Sequence, residues 1–227
     1  MKIGFPILLC SALFMCTHAN AINVGAITSI IAPDQTVMAK EVINTVDDAR
    51  LVSLTVERIS SPMEGGKIIP MASKQEVMVT PSNLILPGNG KEVFRVFYAG
   101  PKDNQERYYR LVWRDNPIAE EGLSKTRKAA SATTSATIST ILVVTPRQDN
   151  FNYQYRNGVV YNTGNSSFRA VAFGPCKKPQ TSEEKNKGCR ERYYVMPGLG
   201  AHLKFVDINN PKSSIGIWHN EDYINVK

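Results

Sequence analysis

Apolar and polar residues alternate along most of this chain with the period of two that a half-buried β-strand requires. In "RYYRLVWR", Tyr109, Leu111 and Trp113 fall on one face, and Tyr108, Arg110 and Arg114 on the other. In "RLVSLTVERI", Leu54 and Val56 share a face. Similar runs recur, each closed by a cluster of Pro, Gly, Asn or Asp: "INVGAITSII" before "APDQ", "MAKEVINTV" before "DDA", "EVMVTPSNLIL" before "PGNG", "KEVFRVFYA" before "GPKDNQ". About seven short strands in roughly 125 residues match an Ig-like sandwich. After Pro146 the pattern restarts. "NFNYQY", a turn at Asn157-Gly158 and "VVYNTGNSSFRAVAFG" predict three strands, and the segment from "ERYYV" to "DYINV" predicts three or four more. The expectation is all-β, with an Ig-like sandwich domain at 22–147 and a smaller β-sandwich domain at 148–227.

One strand breaks the pattern. "SATTSATISTILVVTPRQ", residues 131–148, is rich in β-formers, yet its front half is small and polar and its back half apolar. The basic segment "SKTRKAA" leads into it. A long strand whose front half has so little to bury needs another reason to exist.

Charge and chemistry narrow the choice. "MKIGFPILLCSALFMCTHANA" joins Lys2, an apolar run over 3–16 and an Ala19-Asn20-Ala21 cleavage pattern, so residues 1–21 read as a secretory signal peptide cut after Ala21. The run is too short to span a membrane, and no second stretch of about 18 apolar residues follows. Cys10 and Cys16 leave with the signal, so Cys176 and Cys189 read as one disulfide holding the charged insert "KKPQTSEEKNKG" as a flexible loop. The formal charge is +7, and losing Lys2 leaves the mature chain strongly basic, which suits an acidic or carboxylate-bearing partner. Scattered basic residues without interleaved aromatics, in an exported chain, argue against nucleic acid. His202 and His219 are isolated and no C-x-x-C occurs, so no metal site is expected. There is no G-x-S-x-G, no H-E-x-x-H and no glycine-rich phosphate loop, so the chain reads as a binding protein and not an enzyme, with no cofactor and no small-molecule substrate.

The order of these signals resembles the periplasmic chaperones of pilus assembly, the PapD-like family. The resemblance covers the mature chain and is strongest over 79–148, through "LPGNGKEVFRVFY", "ERYYRLVWRDNP" and the long strand ending at Pro146. "ERISSPMEGGKII", "STILVVTPRQ" and "GPCKK" are most similar to its common-pilus (Ecp/Mat-type) branch. The resemblance implies two Ig-like domains in a boomerang arrangement and a periplasmic protein. Its partners are pilus subunits, handed on to an outer-membrane usher, and the free protein can self-cap as a dimer. The resemblance also explains the odd strand, which would complete an incomplete pilin by β-augmentation. Aligned on Pro146, Ala132, Thr134, Ala136 and Ile138 share the groove-facing phase, and Leu142 shares it close to the domain junction. The family's interdomain salt bridge maps onto Arg95 and Glu106, and onto Asp207 or, in a competing alignment, Asn210.

The chain departs from the family where a pilin's terminal carboxylate is usually held. The two basic positions fall near Thr28 and Ile141, and neither is basic. Arg110, Arg114 and Arg147 are the nearest cations, and a guanidinium grips a carboxylate with two parallel hydrogen bonds. The alternative reading is a pilin or adhesin subunit of a surface fibre, with "INVGAITSII" as its donor extension.

Overall fold

A computed structural model of the chain describes residues 22–118 and 135–227. The expected signal peptide, 1–21, and the expected strand residues Ala132 and Thr134 lie outside the described residues. The first group of strands is β1 (Ile22–Asn23), β2 (Thr28–Ile31), β3 (Val37–Asn44), β4 (Arg50–Ile59), β5 (Val77–Thr80), β6 (Asn83–Leu86), β7 (Lys91–Tyr98), β8 (Arg107–Pro117) and β9 (Ala136–Val144). They form two sheets, in the orders β1-β3-β7-β5 and β2-β9-β8-β4-β6. Inward residues of each meet in one core: Val42, Phe94 and Val96 face Leu54, Leu111, Trp113 and Leu142. Phe94 meets Trp113 edge-on, with ring centroids 5.2 Å apart, an arrangement favoured by the ring quadrupoles.

Two runs that read as single strands are each cut in two, because each crosses between sheets. "INVGAITSII" pairs first with β3 through β1 and then with β9 through β2. The crossing lies at Gly25, whose φ of 68° suits a residue without Cβ. Buried Lys40 braces it, its ammonium donating to the Ala26 carbonyl and to Ser29 Oγ. "EVMVTPSNLIL" divides at Pro81, which has no N–H to continue a ladder: β5 pairs with β7 and β6 with β4.

The second group is β10 (Tyr153–Arg156), β11 (Val159–Asn162), β12 (Phe168–Gly174), β13 (Cys189–Val195), β14 (Gly200–His202), β15 (Ser214–His219) and β16 (Asp222–Asn225). Their sheets run β10-β11-β14 and β13-β12-β15-β16 around a core of Val160, Phe168, Leu203, Ile215 and Ile217. Asn157-Gly158, both at positive φ, turn β10 into β11. Buried Glu191 accepts from the N–H groups of Lys204, Phe205 and Val206 at 2.8, 3.1 and 2.9 Å, pinning the chain beyond β14 to β13.

The insert expected to be a flexible loop instead holds the helix α1 (Ser182–Lys187). Thr181 caps it, and Glu184 bonds back to the Thr181 N–H, a reciprocal capping box that satisfies donors a helix end leaves open. The Cys176–Cys189 disulfide closes its base. A third apolar cluster joins the two groups of strands: Met196, just past β13, packs with Ile59, Tyr108 and Val143. Among the described residues no helix is long and apolar enough to cross a membrane.

Candidate functional site

β9 changes surroundings half-way along. From Ile141 to Val144 it lies between β2 and β8, paired Thr28 to Ile141 through Ile31 to Val144 on one side. From Ala136 to Thr140 only β8 is beside it among the described residues. The direction of its backbone groups follows from one bond. The Ile141 N–H donates to the Ile27 carbonyl at 2.7 Å, on the β2 side. Successive residues of a strand point their N–H and C=O to opposite edges. Thr137 and Ser139 therefore aim theirs to that same side, where no described strand lies. Ala136, Ile138 and Thr140 bond inward to β8.

The side chains suit a half-open edge. Ala136 and Ile138 are half-buried on the core face, Ile138 opposite Trp113. Thr140 is fully buried, its Oγ1 accepting from Trp113 Nε1 at 3.1 Å. Thr137 and Ser139 are exposed on the other face. Leu142 belongs wholly to the first domain's core. Small hydroxyl and methyl groups leave the open backbone without a broad apolar surface, the usual protection against edge-to-edge aggregation.

The candidate cations separate into three cases. Thr28, Ile141, Arg110 and Glu57 form one row across β2, β9, β8 and β4. Arg110 thus stands on the same face as the two positions where the resemblance expects basic residues, one strand further from the edge than Ile141. It is paired to Glu57 at 3.4 Å, and both side chains are about one-third exposed. Arg114 is exposed, opposite Ser53 and Thr137, with no carboxylate partner among the described residues. Arg147 is otherwise engaged. Its guanidinium donates to the carbonyls of Ala32, Pro33 and Gln35 and lies 5.7 Å from the Tyr98 ring centre, so it clamps the loop between β2 and β3. Those bonds leave it poorly placed as a carboxylate anchor.

The structure does not bring Arg95, Glu106 and Asp207 together. Arg95 is exposed on β7, opposite Ala39 and Thr80. Asp207 accepts from the Asn209 N–H through its carboxylate and Asn210 from the Lys212 N–H through its amide oxygen, so both are spent in their own turn. Of the three, only Glu106 reaches across the junction. It accepts from the Ser167 N–H at 2.8 Å, from Ser167 Oγ at 3.2 Å and from the Tyr108 hydroxyl at 2.5 Å. Burial lifts its carboxyl above the usual range, against the pull of those donors. Asp149 forms a second hub, accepting from Ser166 Oγ and pairing with His219 Nε2, both at 2.5 Å. Burial works to raise Asp149, yet its bonds to Ser166 and His219 hold it below the ordinary carboxylate value. Among the described residues no three of His, Cys, Asp or Glu gather as a metal would require.

The sequence pattern did not single out Ser167, Lys40 or the buried carboxylates Glu76 and Glu191, and it reads Asp115 as a solvated loop carboxylate where the structure buries it on β8. Glu76 accepts from the Tyr109 hydroxyl at 2.5 Å, Asp115 pairs with Arg50 at 2.6 Å, and Glu191 holds the chain after β14. Two of these had a visible signal. Asp115 and Glu191 sit in the apolar phase of their strands, where a carboxylate has a partner or does not stay.

Comparison with known proteins gives these features a lineage. The model of the EcpB C-terminal domain matches residues 151–226. A curated relative from Klebsiella pneumoniae (strain 342), named "probable fimbrial chaperone EcpB", is 42% identical over 209 residues, 92% of each chain. This chain belongs to the EcpB family of fimbrial chaperones. Solved structures agree on the fold. The class 5 fimbriae chaperone CfaA has a TM-score of 0.59 at 15% identity, covering 90% of this chain and 97% of its own. A chain from the complex of Salmonella enterica SafA pilin with the SafB chaperone has a TM-score of 0.50 at 14% identity, covering 92% and 97%. At these identities the likeness speaks for the two-domain Ig-like fold alone. Within the EcpB family frame the half-paired β9 is the last strand of the first domain. "INVGAITSII", built into both sheets as β1 and β2, is no free extension of the kind a pilin would need.

Proposed function

We propose that this chaperone acts in the periplasm by completing pilus subunits with β9 and passing them to an outer-membrane usher. The observation that carries the reading is the half-paired strand: Thr137 and Ser139 present N–H and C=O groups with no partner among the described residues, on an edge that β2 closes only from Ile141 onward. A client strand laid along that edge forms main-chain hydrogen bonds, and inward-phase residues shape the groove contact. Ala136 and Ile138 are the described members of that phase, and the sequence alternation runs back from them through Thr134 to Ala132. Arg110 is the cation best placed to receive the client's terminal carboxylate, exchanging Glu57 for it. The Glu106–Ser167 contact across the junction takes the part of the interdomain salt bridge. The domain limits 22–147 and 148–227 are supported by the family model beginning at 151 and by the change of sheet partners after β9.

Co-expression with a cognate pilin tests this. The pilin is expected to be soluble and protease-resistant only with the chaperone present; equal solubility and resistance alone would refute the proposal.

A further inference from the structure

We infer that removal of the export signal completes the foot of β9, because the α-ammonium it creates on Ile22 pairs with the buried carboxylate of Asp115. The inference rests on the reading of residues 1–21 as a signal cut after Ala21. Asp115 is fully buried and its Oδ1 takes Arg50 Nε at 2.6 Å. Its other oxygen, Oδ2, faces the backbone nitrogen of Ile22 at 3.4 Å. Ile22 is itself only 4% exposed. The atom that cleavage would convert from amide to amine therefore already points at a buried carboxylate oxygen.

The place matters to function. Asp115 continues the inward phase of Leu111 and Trp113 on β8, and its partner on β9 is Ala136, the first residue of the described half-paired segment. Hydrolysis of the Ala21–Ile22 amide breaks one C–N bond and consumes one water. It leaves a carboxylate on Ala21 and an amine on Ile22, and the amine takes up a proton at neutral pH. One neutral N–H is replaced by a cation with three donors. A carboxylate has lone pairs enough to accept from both Arg50 and this ammonium, and charge-assisted bonds are about twice as strong as neutral ones. In this account the precursor holds the start of β9 loosely, and the processed protein holds it firmly. Asp115 is a positioning residue for the strand that the client meets.

The test compares three forms of the mature protein: Ile22 free, Ile22 Nα-acetylated, and the chain extended by Ala21 alone. The free form is expected to melt about 5 °C or more above the other two, as for a buried ion pair in a protein of this size. Ala136 and Ile138, whose amides bond inward to β8, should exchange more slowly in it. In Asp115→Asn the three forms should melt together. A second measurement needs no variant: at pH 7 the Ile22 amine should react with a small acetylating reagent at least about 10-fold more slowly folded than unfolded, as a buried, paired ammonium would. Equal melting of the three forms, a gap that survives in Asp115→Asn, or an amine as reactive as in the unfolded chain would overturn the pairing. An intact mass of the exported protein showing cleavage elsewhere would overturn it at the earlier step, and the two failures are told apart by that mass.

Discussion

The front and back halves of β9 share one strand, one neighbour in β8 and one inward phase, but only the back half has a neighbour in β2. Composition follows pairing. Ile141-Leu142-Val143-Val144 is apolar because three of the four are buried between strands and against Met196, whereas Ala136-Thr137-Ile138-Ser139-Thr140 mixes methyls with hydroxyls. The lesson is that an edge meant for another chain must be hydrogen-bond hungry without being greasy. Backbone donors supply the attraction, and small side chains keep copies of the protein from joining each other.

That contrast can be broken in a graded way. Ser139→Pro removes an N–H on the open side and no bond to β8. It should weaken pilin capture at least about 10-fold while moving the urea midpoint little, since only an unpaired donor is lost; binding assays alongside urea denaturation would show the split. Reducing the Cys176–Cys189 bridge should do the reverse. It should cost about 2–3 kcal/mol in the second domain, where it closes a short loop, and leave amide exchange in both halves of β9 unchanged. Thr140→Val strips Trp113 Nε1 of its acceptor inside the core. A loss of about 1–3 kcal/mol by chemical denaturation is expected, with capture kept wherever the domain stays folded.

The smallest effects lie at the junction and appear as pH dependence. Glu106 has a raised folded-state value, so the folded protein keeps its proton where the unfolded chain has lost it. Stability should fall as pH rises from about 4.5 through that raised value, and Glu106→Gln should flatten the slope. Asp103 behaves oppositely. Its bond to Arg107 lowers it to about 2, so its contribution is present above 3.8 and disappears as pH falls towards 2. Asp103 is well exposed, which keeps that step small. Urea midpoints measured from about pH 2 to about pH 7 on the wild type, Glu106→Gln and Asp103→Asn would resolve both.

Local pattern carried much of the architecture. The phase of Tyr109, Leu111 and Trp113 showed which face of β8 is core, and the Asn157-Gly158 turn located a hairpin. The polar front of β9 marked the strand that is only half-paired. What escaped depends on distant partners. Glu106 was singled out, but its acceptance from Ser167 joins residues 61 apart in sequence. The loop carbonyls that occupy Arg147 lie 112 to 115 residues away. No local pattern records such meetings. The two split strands were hidden for another reason: a run that changes sheets keeps its alternation, so only Gly25 and Pro81 hinted at the breaks.

Amide hydrogen exchange at Thr137 and Ser139, with and without a pilin, probes the open edge most directly. The account predicts fast exchange in the free monomer and strong protection once the pilin is bound, while Ile141 and Val143, already facing β2, are slow throughout. Protection at Thr137 and Ser139 that does not change on adding a pilin would contradict it.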